Sequence, residues 1–249
     1  MSPNLSAGRG IRMSGEQVHQ HISKQFEQEL EDLRHRVLVM GGMVESQVAD
    51  AVKALLENDV ALAEEVIAND YKVNSMEVEI DEKCTEILAR RQPAARDLRL
   101  VLAVIKMIAD LERIGDEARR IARQALDLST RYPRKNQLSE LEQLAQQARA
   151  MLHDALDAFA RMDVDLALKV VEEDKVVDKE YESIVRQQVT YMMEDARCIP
   201  TALDIMWSAR SLERIGDRSC NICEYLIYYV KGKDVRHISL EQLEQEVRQ

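Results

Sequence analysis

The sequence predicts an all-α protein built as two tandem, pseudo-symmetric three-helix bundles. Composition, apolar spacing and an internal repeat all point the same way. Hydrophobic residues make up 46% of the 249, yet aromatics supply only 4%, with eight Gly and four Pro. A core of Leu, Ile, Val, Ala and Met with few chain breakers favours long helices over sheets. Val66, Val73, Ile80 and Ile87 recur every seven residues, the spacing of a helix-bundle seam. The chain also repeats itself. Residues 44–78 align with 148–182 at an offset of 104, placing Ala51 on Ala155, Asp59 on Asp163, Leu62 on Leu166, Val66 on Val170 and Val73 on Val177. Farther on the offset becomes 101, and the block LERIGD at 111–116 falls on 212–217 without a mismatch.

Each copy reads as three helices. Copy one is expected to hold them over 23–57, 60–91 and 96–128, and copy two over 139–161, 164–194 and 201–231. Asp59 and Asp163 are placed to cap the second helix of their copies, each carboxylate accepting from a free N–H of the first turn. Pro93 and Pro200 stand where the second helices must end, because Pro disfavours helix at the residue before it. Residues 130–137, with Pro133, join the copies, and Gly232 is expected to close the last helix. Residues 1–18 are expected to be disordered. Residues 19–131 and 138–232 form the two repeats. A polar tail over 233–249 is expected to carry a short, weakly packed helix at 239–248. Gly41-Gly42 on the first helix predicts tight helix packing.

Charge excludes several partners. Lys plus Arg number 34 and Asp plus Glu 45, a net charge of −11. Nucleic-acid binding needs a basic face that releases counterions, and none is present in the pattern. A polybasic membrane contact is disfavoured for the same reason. The longest apolar run, residues 100–105, is closed by Lys106, far short of the ~20 residues a spanning helix needs. The N-terminus carries no apolar stretch of signal type. Four Cys in a chain of this length fit a reducing compartment. A cytoplasmic location is therefore expected.

The acidic residues carry the chemistry. Glu112 and Asp116 are four apart and share one helix face, as do Glu213 and Asp217. Asp174 and Asp178 form another such pair on the second helix of copy two; copy one has Asp70 and Asn74 there. Antiparallel neighbours in a short-loop bundle can bring these faces together. Carboxylates so gathered either face water separately or enclose a cation, and hard ions take oxygen ligands. Exposed ion pairs with Arg113 or Arg214, worth ~0–1 kcal/mol, are the plainer alternative. The repeated block favours a shared constraint, since surface charge needs no fixed sequence. Gly115 and Gly216 inside good helix cost ~1 kcal/mol each relative to Ala; close approach of a neighbouring helix or a ligand would explain them.

Other signals are weaker. Cys220 and Cys223 form a CxxC with no second ligand pair at matching spacing; their repeat partners are Arg119 and Ala122, and packing is the expected role. None of the five His falls in a repeated block, and the lone Glu-x-x-His, Glu16 to His19, lies near the N-terminus, which argues against a di-iron redox bundle. There is no glycine-rich phosphate loop, nucleophile elbow or nucleotide fingerprint. Tyr225, Tyr228 and Tyr229 are expected in core and interface.

The repeated LERIGD block, with MGGMVE at 40–45, RQP at 91–93, DLRL at 97–100, YMMED at 191–195 and YYVKG at 228–232, resembles the PhoU family of bacterial phosphate-transport regulators over about residues 19–237. The resemblance implies two similar three-helix bundles, a homodimer, and E(D)XXXD motifs that hold metal ions, in some members as clusters. Carried over, the motifs fall on Glu112 and Asp116, Asp174 and Asp178, and Glu213 and Asp217; the fourth has Asp70 but Asn74 in place of the acid. The metal is left open among Mg, Mn, Zn, Fe and Ca. The implied role is a non-enzymatic negative regulator of the phosphate-starvation response, an adaptor between the ATPase subunit of the phosphate ABC transporter and a sensor histidine kinase. It would meet the inner membrane only through those partners. A metal-dependent hydrolase using the carboxylates is the alternative.

Overall fold

The computed structural model describes residues 15–131 and 135–248. Eight α-helices account for nearly all of them: α1 (Gly15–Glu57), α2 (Val60–Asn69), α3 (Tyr71–Arg91), α4 (Ala95–Ser129), α5 (Lys135–Arg161), α6 (Val164–Glu194), α7 (Ile199–Lys231) and α8 (Leu240–Arg248). Copy one is α1 to α4, with α2 and α3 as one helix interrupted at Asp70. Copy two is α5 to α7. The third helices, α4 and α7, pack on each other at the centre; α1 lies on α4, α5 and α6 lie on α7, and α1 also meets α5. This is the predicted pair of three-helix bundles.

Local chemistry sets the element ends. Asp59 Oδ1 accepts from the Leu62 N–H at 3.0 Å, and Asp163 Oδ1 from the Leu166 N–H at 2.9 Å. The residues before them, Asn58 and Met162, have φ of 60° and 58°, so one turn is built twice. Gly232, at φ 78°, closes α7 with its N–H on the Tyr228 carbonyl at 2.9 Å, the left-handed cap its lack of a Cβ permits. The seam residues Val66, Val73, Ile80 and Ile87 are buried, as are Val170, Val177 and Ile184 in copy two.

Four expectations change. Helix α6 ends at Glu194 as expected, but Pro200 is not what ends it: Asp195 caps a 3-10 turn over Ala196–Cys198. Pro200 therefore lies in the first turn of α7, where its missing N–H costs nothing. Residues 15–18 belong to α1 rather than to a disordered segment; residues 1–14 and 132–134, including Pro133, lie outside the described residues. Helix α8 is docked, not weakly packed: Leu243 and Val247 are buried, the helix lies on α6, and Ser239 and Gln242 form a reciprocal capping box. Of the paired glycines, only Gly41 has the predicted role. A Cβ there would fall 2.5 Å from Leu156 of α5, whereas Gly42 has open space.

The α4–α7 contact is polar at its heart. Asp110, buried on α4, accepts from Arg218 at 2.8 Å, the Tyr225 hydroxyl at 3.0 Å and Asn221 at 3.4 Å. Glu117, also buried on α4, accepts from the Ser211 hydroxyl at 2.8 Å, Arg120 at 2.8 Å and Arg214 at 3.3 Å. At the 101-residue offset Asp110 corresponds to Ser211 and Glu117 to Arg218. The contacts Asp110–Arg218 and Glu117–Ser211 are thus one contact and its mirror across a pseudo-twofold axis. Removing Asp110 leaves a guanidinium unpaired in that contact. Asp110→Ala is expected to cost on the order of 3 kcal/mol, and Ser211→Ala about 1 kcal/mol. Urea unfolding of the two variants checks that order.

Candidate metal centre

Helices two and three of each copy meet where the third helix presents a glycine. A Cβ on Gly216 would lie 3.4 Å from Val177 Cγ1 and 3.5 Å from Asp174 Oδ1; one on Gly115 would lie 3.0 Å from Gln47 Oε1 and 3.5 Å from Val73 Cγ1. The residue after each glycine is the motif aspartate, so the close approach carries Asp217 and Asp116 to the second helix. The expected need for glycine is only partly met: at Gly216 an added Cβ would meet its neighbours at ordinary contact distance, and at Gly115 the tight contact is with Gln47 of α1 rather than with the second helix.

In copy two the approach gathers Asp174, Asp178 and Asp217, with one oxygen of each within 4.8 Å of the others. No Lys or Arg among the described residues forms an ion pair with any of the three. Burial, then Asp178 and Asp217, raise the Asp174 carboxyl to about 6. Burial, then Asp178, raise that of Asp217. Glu213 stands at the edge. One of its oxygens is held by Arg210, and the other is buried without a hydrogen-bond partner; burial and then Asp217 push its pKa to about 7. Asp174 Oδ1 is likewise buried and unpartnered. Arg210 is steadied by the Tyr181 ring, 5.6 Å from its guanidinium.

Copy one is built differently from the same plan. Asp70, buried beneath α4, has Oδ1 hydrogen-bonded to Gln47 Nε2 at 3.0 Å and Oδ2 3.0 Å from Arg119 Nε. The same guanidinium holds Asp116. Asn74 is exposed. Glu112 is raised by burial and by Asp116, Glu77 and Asp70. Asp70 and Asp116 of copy one are thus tied to Arg119, whereas Asp174, Asp178 and Asp217 of copy two gather with no ion pair among the described residues. Among the described residues, Asp174, Asp178 and Asp217 are the one acidic group within reach of a single ion.

The repeat alignment places Arg119 opposite Cys220 and Gln47 opposite Met151. Those mismatches inside a matched neighbourhood were the legible signal for the difference, although neither Arg119 nor Gln47 is itself predicted as a site residue. Cys220 lines the pocket with Asp174 and Asp217. Cys220 and Cys223 are buried free thiols, and burial raises both well above the usual thiol range, consistent with packing.

Comparison with known proteins identifies the fold. A model described as the PhoU domain matches residues 37–125 and again 141–226, the two repeats. The chain belongs to the PhoU family. It is 52% identical to a phosphate-specific transport system accessory protein PhoU homolog of Pseudomonas aeruginosa over 91% of this chain and 94% of the relative. It is 53% identical to the phosphate-specific transport system accessory protein PhoU of Escherichia coli over the same shares. The crystal structure of PhoU from Pseudomonas aeruginosa superposes with a TM-score of 0.81 at 52% identity, covering 84% of this chain and 100% of that one. The phosphate transport system regulatory protein PhoU from Streptococcus pneumoniae gives 0.78 at 30% identity, covering 84% and 99%. PhoU is a family of regulatory accessory proteins, not enzymes. No helix among the described residues is long and apolar enough to cross a membrane.

The raised carboxyls make the metal-free stability pH-dependent. A carboxyl whose folded pKa lies above its unfolded value favours folding while protonated; that gain is complete below the unfolded pKa and is lost as pH rises through the folded one. For Asp174 and Glu213 the loss spans about pH 4 to 7. In chelator, the melting temperature is expected to fall between pH 5 and 7.5, and to fall less in Asp174→Asn with Glu213→Gln. Thermal melts across that range check it.

Proposed function

We propose that this chain is a metal-dependent adaptor that restrains the phosphate-starvation response. In this reading it joins the ATPase subunit of a phosphate ABC transporter to a sensor histidine kinase and holds the kinase in its non-activating state. The observation that carries the proposal is the open acidic cluster of copy two within a PhoU fold. The names of the relatives, accessory and regulatory proteins of phosphate transport, supply the transport context.

The donor set suits a cation. Three unpaired carboxylates supply oxygen ligands, and two buried oxygens, on Asp174 and Glu213, have no protein partner. Leaving such groups unsatisfied costs ~1–3 kcal/mol each. An all-oxygen set favours Mg, Mn, Ca or Fe over Zn, which prefers nitrogen and sulfur. Asp174 and Asp178 on α6 and Asp217 on α7 would hold the ion, with Glu213 beside them. Bound only by the folded protein, the ion stabilises the α6–α7 contact by mass action. The face so stiffened is the one we assign to partner engagement. Homodimerisation and recruitment to the inner membrane through the partners belong to the same reading. The hydrolase alternative is not retained, because the family is one of accessory proteins rather than enzymes.

Co-purification from phosphate-replete cells tests this. Wild type is expected to retain Mn or Mg and to bring down the ATPase subunit and the kinase. Glu213→Gln with Asp217→Asn is expected to lose at least tenfold in metal affinity, recover less of both partners and derepress phosphate-starvation genes. Unchanged metal content and partner recovery in that variant defeat the proposal.

A further inference from the structure

The two halves share a plan but differ in one cation. In copy two the position four residues beyond Gly216 is Cys220, small and neutral, and it lines the space beside Asp174 and Asp217. In copy one the equivalent position is Arg119. Its Nε lies 3.0 Å from Asp70 Oδ2, and a terminal nitrogen of the same group holds Asp116. One guanidinium thus bridges an aspartate of the second helix and one of the third, the pair whose copy-two counterparts, Asp174 and Asp217, pair with no cationic side chain. Gln47 occupies the other oxygen of Asp70 at 3.0 Å, where copy two has Met151. Asn74 removes a further charge, where copy two has Asp178. Three separate differences therefore act in one direction. They satisfy or delete the oxygens that an ion would use.

We propose that Arg119 is a resident counter-ion that takes the place of the metal in copy one, so that this chain carries its tightly bound ion in copy two alone. The inference rests on the metal reading of copy two and assigns the distribution of ions between the halves. An arginine side chain stays charged at all working pH and its planar fork reaches two carboxylates at once, so it bridges α3 and α4 without a free ion in solution. Copy one is then a permanently latched pair of helices. Copy two is latched only when an ion is present. Any signal carried by metal availability would move α6 against α7 and leave α2 and α3 seated on α4. Arg119 is in this sense a specificity-determining residue: it decides which half responds.

The test is the Mn content of the purified full chain, dialysed against chelator, reloaded with Mn and desalted. Glu112→Gln, in copy one, is expected to leave the wild-type Mn content unchanged. Asp178→Asn with Asp217→Asn, in copy two, is expected to abolish it. Arg119→Cys with Asn74→Asp, which writes the copy-two residues into copy one, is expected to double it and to make copy-one stability respond to Mn in thermal melts. Arg119→Met keeps the length of the side chain without its charge. Its Mn content is expected to exceed wild type, and it supplies the reading where the double substitution does not fold. Wild-type content halved by Glu112→Gln, or no gain in either Arg119 variant, overturns the inference while leaving the metal reading of copy two intact. Wild type that holds no Mn overturns the metal reading instead; a gain in the Arg119 variants would then uphold the blocking role of Arg119 by itself.

Discussion

Close contact between the second and third helix of each repeat governs both the core and the site. At Gly115 and Gly216 the third helix has no side chain, and the neighbouring helix fills the space with Val73 or Val177 and with the oxygen-bearing groups beside them. An alanine at 216 would meet those groups at ordinary contact distance, and one at 115 would press only on Gln47 of α1. The approach seats the valine seam in the core, and it also forces carboxylates on two helices towards one another. Hydrophobic burial, which acts without direction, supplies the attraction that overrides the repulsion between the acids. Burial first, and the neighbouring carboxylates after it, raise the pKa of Asp174 and Glu213.

A second reciprocal contact turns two bundles into one body. Asp110 and Glu117 lie two turns apart on α4 and meet Arg218 and Ser211 on α7. These pairs exchange under the repeat operation. An arrangement of this kind resembles an isologous dimer interface within one chain. Buried carboxylates with several donors each give that interface direction, since a slip of either helix would strand a charge. Glu112 and Asp116, and Glu213 and Asp217, sit on these same two helices, a turn or so away, so the interface holds the third-helix half of each site in fixed relation.

Symmetry is kept in the scaffold and broken in the site. The caps at Asp59 and Asp163, the positive φ before them, the seam valines and the glycines all recur. The residues that face the acids do not: Arg119 against Cys220, Gln47 against Met151, Asn74 against Asp178, and Arg210 against Ala109. Packing demands shape, which both halves must meet equally. Charge compensation can be met by a side chain or by an ion; copy one meets it with Arg119, and copy two is the half for which an ion is proposed.

The all-helical repeat, the bundle seam, the Asp caps, the Gly232 stop and the candidate acids were legible in the amino-acid order, because each depends on neighbours a few residues away or on self-similarity along the chain. The end of α6 at Glu194 was legible, but the role of Pro200 was not, since proline opens a helix as readily as it ends one and only the flanking Asp195 cap distinguishes the cases. The docking of α8 was missed because Leu243 and Val247 find their partner on α6, far away in the chain. Most of all, the sequence by itself determined which residues could hold a cation, while the fold decided which of them are free to do so. Whether a carboxylate is paired depends on what arrives from other helices, and the reach of Arg119 across to Asp70, 49 residues away in sequence, exists only once α3 and α4 are packed.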